Sequence, residues 1–385
     1  MIPVNQPLLD GNEGTYLQEC ISSGWISSEG SFVERFEAGM AALTGRKHAI
    51  AVCNGTAALE CAVAALGLEV GDQVAMPTFT IISCAAAVLK NSCIPLFVDS
   101  DPATWNIDIN KLGDLLKDEI ENKGNLKLKA IMVVHIYGLP VDMDPVLELA
   151  ERYGLKIIED AAEMHGQTYR GRPCGSFGDV STFSFYPNKH ITCGEGGMLV
   201  TDDDILAERC RSLRNLCFQT QKRFVHEELG YNFRMTNMQA AIGVAQLERL
   251  DEFVMRKRRM GNLYTELLAD CEGIELPLAS TEYAENIYWV YGIILKDELD
   301  IDAEAMMKRL GEFGIGTRPF FWPMHEQPVL MRMGLDSEKA YPVAERLARR
   351  GFYIPSGMAL ESEQIENVAS IVRKAVEERR MRDER

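Results

Sequence analysis

The ten cysteines include no Cys-x-x-Cys pair and follow no regular spacing. That argues against a secreted disulfide scaffold and suits reduced, mostly buried thiols in a cytoplasmic protein. An excess of positive charge is also missing. Forty Lys and Arg against 57 Asp and Glu leave a formal net charge of −17, which argues against general binding to nucleic acid or to an anionic membrane. The N-terminus, Met1 to Gln6, has no basic region followed by an apolar run, so no signal peptide is expected. The most apolar stretch, Ala49 to Val70, is interrupted by Asn54, Thr56 and Glu60 and does not make a membrane span. There is no internal repeat and no low-complexity segment. The remaining composition, 46% hydrophobic and 25% charged over 385 residues, is that of a soluble globular chain long enough for two domains.

Strand and helix signals alternate through the first two thirds. The pattern predicts helices over 11–22 and 31–44, where Phe32, Phe36 and Met40 share a face, and over 56–66. Strands are expected at 47–52, 73–77, 94–99, 130–135, 155–160 and 177–185. This alternation indicates a sheet covered on both faces, with ligands gathered at the carboxyl ends of its strands. A long helix is expected over about 236–266, its basic run Arg256–Arg259 on a solvated face. The character changes near residue 256, so a large domain, 1–255, and a smaller C-terminal α/β domain, 256–385, are expected. The latter contains a strand at 286–295, a helix at 303–313 and a short strand at Thr317–Arg318. Residues 377–385 read as a frayed helix end.

The chemistry centres on Ser184-Phe185-Tyr186-Pro187-Asn188-Lys189 and the glycine cluster Gly194 to Gly197. A lysine among aromatics and glycines is a candidate to form an imine with a carbonyl, and the glycines let backbone approach a flat ligand. A surface lysine in a Gly-rich hairpin is the bland reading of this stretch taken alone. Upstream, Leu155-Lys156-Ile157-Ile158-Glu159-Asp160 reads as a buried strand ending in a carboxylate. Asn54-Gly55-Thr56-Ala57, after Ala49-Ile50-Ala51-Val52, places backbone N–H groups and a hydroxyl at a helix N-terminus, a natural phosphate seat. Pyridoxal phosphate needs these three parts: a lysine, a carboxylate facing its pyridine nitrogen, and a seat for its phosphate.

The stretches "NGTAAL", "PTFT", "VVHIYG", "IEDAAE", "GDVSTFSFYPNKHITCGEGG", "LGYNFRMTNMQAAIG" and "GTRPFFWPMH" resemble the DegT/DnrJ/EryC1 family of sugar aminotransferases. They run from about residue 30 to residue 325. "EDAAE", "YNFRMTNMQAAIGVAQLERLDE" and "RPFFWPMH" are most similar to the branch that aminates GDP-4-keto-6-deoxymannose. The resemblance implies an α/β fold of pyridoxal-phosphate fold type I: a mixed, mostly parallel sheet between helices, plus a smaller C-terminal α/β domain. It implies Lys189 and Asp160 as catalytic residues. Gly55, Thr56, Ala57, Asp160, Glu163, Ser184, Lys189 and Asn232 are implied to hold pyridoxal 5′-phosphate, with Glu163 near its ring hydroxyl. No metal is implied.

Trp25, Arg234, Arg318 and His325 are implied as substrate contacts. Each has a plainer reading: Trp25 as a staple for the N-terminal arm, Asn232 and Arg234 as helix caps, and the 318–325 loop as a structural element. Relatives often carry an aromatic ring at the position of Ile81, where either aliphatic packing or Phe79 would serve. His165 reads as a packed polar residue. The dehydratase branch has histidine in place of the lysine, so the presence of Lys189 favours amino transfer and His190 need not be catalytic. The resemblance further implies a homodimer with active sites shared between subunits, L-glutamate as donor, a nucleotide-linked keto sugar as acceptor, and a role in surface polysaccharide (O-antigen, lipopolysaccharide) biosynthesis. A transaminase of the same family for another keto sugar or keto sugar acid, or a non-catalytic regulatory relative that only binds the cofactor, are the competing expectations.

Overall fold

The computed structural model describes residues 1–219, 221–335 and 339–383. Its centre is a seven-stranded sheet of β1 (His48–Val52), β2 (Gln73–Pro77), β3 (Ile94–Val98), β4 (Leu128–Val134), β5 (Lys156–Asp160), β6 (Val180–Ser184) and β7 (Gly197–Thr201). The strand order is β1-β7-β6-β5-β4-β2-β3. Every neighbouring pair is parallel except those made by β7, which runs antiparallel to both β1 and β6. Strands buried on both faces need near-continuous apolar runs, and Ile131-Met132-Val133-Val134 is one. Side chains alternate between faces. Ala49, Ala51, Ile131, Val133 and Ile157 therefore join one core cluster, while Ile50, Val52, Met132, Val134 and Ile158 join the other.

Helices cover both faces. α1 (Glu13–Ser23) and α2 (Ser31–Thr44) bury Cys20, Phe32, Phe36 and Met40 against the first cluster. α3 (Gly55–Ala65) and α4 (Ile82–Lys90) pack on the second. A four-stranded antiparallel sheet follows, made of β8 (Ile274–Glu275), β9 (Tyr291–Leu295), β10 (Arg318–Pro319) and β11 (Gly351–Ile354), in the order β8-β9-β11-β10. Its core cluster includes Tyr264, Ile293, Leu310, Phe352 and Val372, contributed by helices as well as strands.

Two expectations change. The long helix over 236–266 is two helices, Asn237–Leu247 and Leu250–Leu268. Arg249 leaves helical geometry at φ −115°, ψ 12°, where its guanidinium turns to Asp10 of the N-terminal arm and to Glu252. The 255/256 position lies inside the second of these helices. The strand expected at 286–295 starts only at Tyr291, because Tyr288 sits at φ 47°, a left-handed conformation that interrupts a ladder. The C-terminal helix runs Ser362–Asp383; Glu384 and Arg385, expected in its frayed end, lie outside the described residues. Among the described residues, no helix is long and apolar enough to cross a membrane. All ten cysteines are free thiols, and only Cys53 is not fully buried.

Candidate active site

A cavity of about 690 Å³ opens at the carboxyl ends of β1, β5 and β6. This is where parallel sheets place ligands, because helix N-termini and strand-end loops converge there. Its walls include Gly55, Thr56, Asp160, Glu163, Ser184 and Lys189.

One wall is the N-terminus of α3. Asn54 caps this helix, its Oδ1 accepting the Ala57 N–H at 2.8 Å. Gly55 and Thr56 line the cavity in the first turn of the helix, where N–H groups have no helical partner. Thr56 Oγ1 is 2.9 Å from Ser83 Oγ. Gly55 packs against the end of β6 so closely that a Cβ there would lie 2.7 Å from the Ser184 Cβ. Thr56, Ser83 and Ser184 thus bring three hydroxyls to one dipole end, a seat for a dianion.

Asp160, in the wall of the same cavity, is 3% exposed. Its Oδ1 accepts the Ala162 N–H at 3.0 Å, and its Oδ2 the Cys84 thiol at 3.3 Å. Burial pushes this carboxyl up from its ordinary value, against those two donors and the Lys189 charge. A buried carboxylate without a contacting cation is costly, and a protonated ring nitrogen would supply the missing charge.

Lys189 lines the same cavity, its side chain 10% exposed and its Nζ 3.5 Å from Glu163 Oε1. Glu163 Oε2 accepts the Tyr137 N–H at 2.7 Å. Burial raises the Glu163 carboxyl to about 7, despite the opposing charge of Lys189. His190 turns away, its Nε2 3.1 Å from the Ile287 carbonyl. His165 is packed between Phe183 and Phe185, and burial lowers it to about 3.

Ile81 lines the cavity, whereas Phe79 is buried in an aromatic cluster with Tyr137, Phe320 and Phe321. Five of the expected site residues are not on this chain's cavity wall. Trp25 is 57% exposed, and Asn232 is exposed. Arg234 donates to Asn215 Oδ1 at 2.6 Å. Arg318 is exposed, bonded to the carbonyl of Thr317. His325 is buried, with Nδ1 2.8 Å from Thr78 Oγ1 and Nε2 3.4 Å from Glu345 Oε1.

The sequence reading missed Ser83, Trp289 and Tyr353, which line the cavity, and Cys84, which donates to Asp160. Ser83 and Cys84 come two residues after "PTFT", in the first turn of α4, so their place at a helix N-terminus was a usable signal. Trp289 and Tyr353 sit in aromatic–aliphatic runs that read as core.

A phosphate seat, a buried acid and a buried amine spaced around one cavity fit the three polar parts of pyridoxal 5′-phosphate. The DegT/DnrJ/EryC1/StrS aminotransferase family matches residues 7–373. A GDP-perosamine synthase of Vibrio cholerae is 39% identical over 97% of this chain and 98% of its own. The protein of the same name from Caulobacter vibrioides is 42% identical over 95% and 96%. Among solved structures, the aminotransferase TlmJ of Streptoalloteichus hindustanus superposes with a TM-score of 0.88 at 30% identity, covering 98% of this chain and 99% of its own. The cofactor of the family's aminotransferases is pyridoxal 5′-phosphate. The chain therefore belongs to the DegT/DnrJ/EryC1/StrS aminotransferase family and is a pyridoxal-phosphate-dependent enzyme.

Proposed function

We propose that the enzyme moves an amino group from L-glutamate to the 4-keto carbon of GDP-4-keto-6-deoxymannose. The product is GDP-perosamine, made in the cytoplasm for a surface polysaccharide. The observation that carries this reading is near full-length identity of 39–42% to proteins named GDP-perosamine synthase. The Lys189–Asp160 cavity supplies the chemistry that such an activity needs.

When bound, the cofactor supplies an aldehyde that accepts an amine and a ring that draws electrons from the carbon beside it. Gly55, Thr56, Ser83 and Ser184 would hold its phosphate. Asp160 would hold the proton on its ring nitrogen and so keep the ring electron-poor. Glu163 would face the ring hydroxyl; with its carboxyl raised to about 7 by burial, it is able to donate as well as accept there. Lys189 Nζ would hold the aldehyde carbon. With glutamate bound, the freed Nζ would take the proton from its α-carbon and hand it to the cofactor; with the keto sugar bound, it would run the same transfer in reverse, ending on the sugar's former keto carbon. A proton carried by a positioned side chain contributes about 10²- to 10⁴-fold in rate.

Trp25, Asn232 and Arg234 lie off their own chain's cavity. We assign them to the cavity of a second subunit in a homodimer. Mixing the Lys189→Ala and Arg234→Ala variants tests this, since hybrid dimers with one intact site would regain activity that neither variant has alone. For the substrate, the purified enzyme is incubated with glutamate and a panel of nucleotide-linked keto sugars, with amino-sugar products read by mass spectrometry. Preferred amination of GDP-4-keto-6-deoxymannose supports the reading; preference for another keto sugar moves the enzyme elsewhere in the family, and no product from any overturns it.

A further inference from the structure

The amino group of Lys189 has a second neighbour besides Glu163. Its Nζ lies 3.9 Å from the centroid of the Trp289 ring. We propose that Trp289 is a positioning residue of the reaction, its indole face the seat on which the Lys189 amino group rests while it carries a proton. This rests on Lys189 being the reacting amine.

Three features support the assignment. The first is electrostatic. Lys189 is only 10% exposed, so water cannot fully solvate its ammonium form, and the negative face of an indole is the strongest aromatic partner for a desolvated cation. An aliphatic wall at this place would offer nothing in exchange. Glu163 is close, but its carboxyl is raised to about 7, so its charge changes across the neutral range; the charge distribution of the indole does not.

The second feature is the tether. Trp289 Nε1 donates to the carbonyl of Asn188 at 2.7 Å. Asn188 is the residue before Lys189, so ring and amine are tied to the same turn and move together. The third is the support from behind. The Trp289 carbonyl accepts from Lys257 Nζ at 2.8 Å, and the same ammonium also donates to the Ser356 carbonyl. Lys257 is fully buried on the helix Leu250–Leu268. A lysine spent on two backbone carbonyls fixes the segment that carries the indole and joins it to the loop after β11.

The ring's distance from Nζ suits a group that must leave and return. A full turnover requires Lys189 to be displaced, to hold a proton, and then to surrender it. A π face attracts the ammonium without an acceptor lone pair that would take the proton away.

Two variants and one spectroscopic measurement test this. Trp289→Phe keeps a ring face and loses the N–H; Trp289→Leu removes the face. A contact of this kind is worth about three- to thirty-fold in rate. Trp289→Leu is expected to lower kcat by that factor with KM for glutamate within about twofold, whereas Trp289→Phe keeps most of kcat. A wild-type kcat in Trp289→Leu overturns the proposal, as does an equal loss in both variants, which would assign the effect to the Asn188 hydrogen bond. The second readout uses the enzyme without cofactor, labelled with ¹³C at lysine Cε. The Lys189 resonance, identified by its loss in Lys189→Met, is expected to be shifted upfield by the indole ring current. That shift should persist in Trp289→Phe and vanish in Trp289→Leu. An unshifted Lys189 resonance overturns the proposal even if Trp289→Leu folds poorly. Because this measurement involves no turnover, its failure is separate from failure of the assigned reaction.

Discussion

Glu163 Oε1 and Lys189 Nζ stand 3.5 Å apart with both side chains withdrawn from water. Their partnership is unequal, because burial raises the Glu163 carboxyl from 4.5 to about 7 even with the lysine beside it. In the unfolded chain this group ionises near the lower value. Folding therefore favours its protonated form. The associated stability is fully present below about pH 4.5 and is lost as pH rises through about 7. The Glu163→Gln variant lacks this slope. Without cofactor, its stability relative to wild type should improve by about 2–3 kcal/mol between pH 4.5 and pH 8. Urea midpoints at pH 4.5, 6 and 8 measure this; a difference that stays constant with pH refutes the assignment.

Replacing Lys189 by alanine removes the amine proposed to carry the proton. Turnover should fall by at least about 10²- to 10⁴-fold, and borohydride should no longer fix the cofactor to the protein. Asp160→Asn keeps the acceptor for the Ala162 N–H but removes the charge that, in the proposed role, would hold the ring nitrogen protonated. It should lower kcat more than it raises KM for either substrate. Steady-state kinetics decide both, and near-normal kcat in either variant contradicts the roles given to this pair.

That Asp160, Thr56, Ser184 and Lys189 meet at one cavity was legible in sequence because each sits close to where a buried apolar run stops, with small residues or a turn nearby. The sheet was legible for the same reason, since strands buried on both faces carry mostly apolar residues. Trp289 and Tyr353 were not legible. Their local sequences, Tyr288-Trp289-Val290-Tyr291 and Gly351-Phe352-Tyr353-Ile354, read as core, and only the docking of the small sheet turns them toward the cavity. The break at Arg249 was hidden because its partner, Asp10, is distant in sequence. His325 has the chemistry of a substrate contact, and long-range packing that the sequence does not show sets its ring against Thr78 and Tyr341.

Gly55 tests the phosphate seat without touching a reacting group. Its ideal Cβ would meet Ser184 Cβ at 2.7 Å and Ser184 Oγ at 2.9 Å, closer than van der Waals contact allows. In Gly55→Ala the end of β6 and the start of α3 must separate, at a cost of about 1–3 kcal/mol in stability. Separation pulls the Ser184 hydroxyl away from the helix terminus, so affinity for pyridoxal 5′-phosphate should weaken about tenfold or more. Titration of the cofactor-free protein, together with melting temperatures with and without cofactor, measures both effects. Unchanged affinity in a folded variant would detach the phosphate from this corner.

Glu159 lies beside Asp160 but faces the other way. It accepts N–H groups from Gly175 at 2.6 Å, Phe177 at 2.9 Å and Gly178 at 3.1 Å, and the Ser181 hydroxyl at 2.8 Å. His135 Nε2 is 3.1 Å away, and His135 Nδ1 accepts the Val141 N–H, which leaves Nε2 to donate. Burial acts to raise this carboxyl, but His135 and the N–H groups of Gly175 and Phe177 outweigh it and hold it at about 2. The stability this provides is present above about pH 4.5 and is lost as pH falls through about 2. Glu159→Ala strands several buried donors and should cost about 3–5 kcal/mol at neutral pH. That difference should narrow as the pH is lowered through the carboxylate range, because wild type then loses the same carboxylate. The variant should also lower kcat, since Glu159 fixes the strand end from which Asp160 projects. A cost that does not change with pH would mean that the side chain's packing, and not its charge, holds the 175–181 segment against β5.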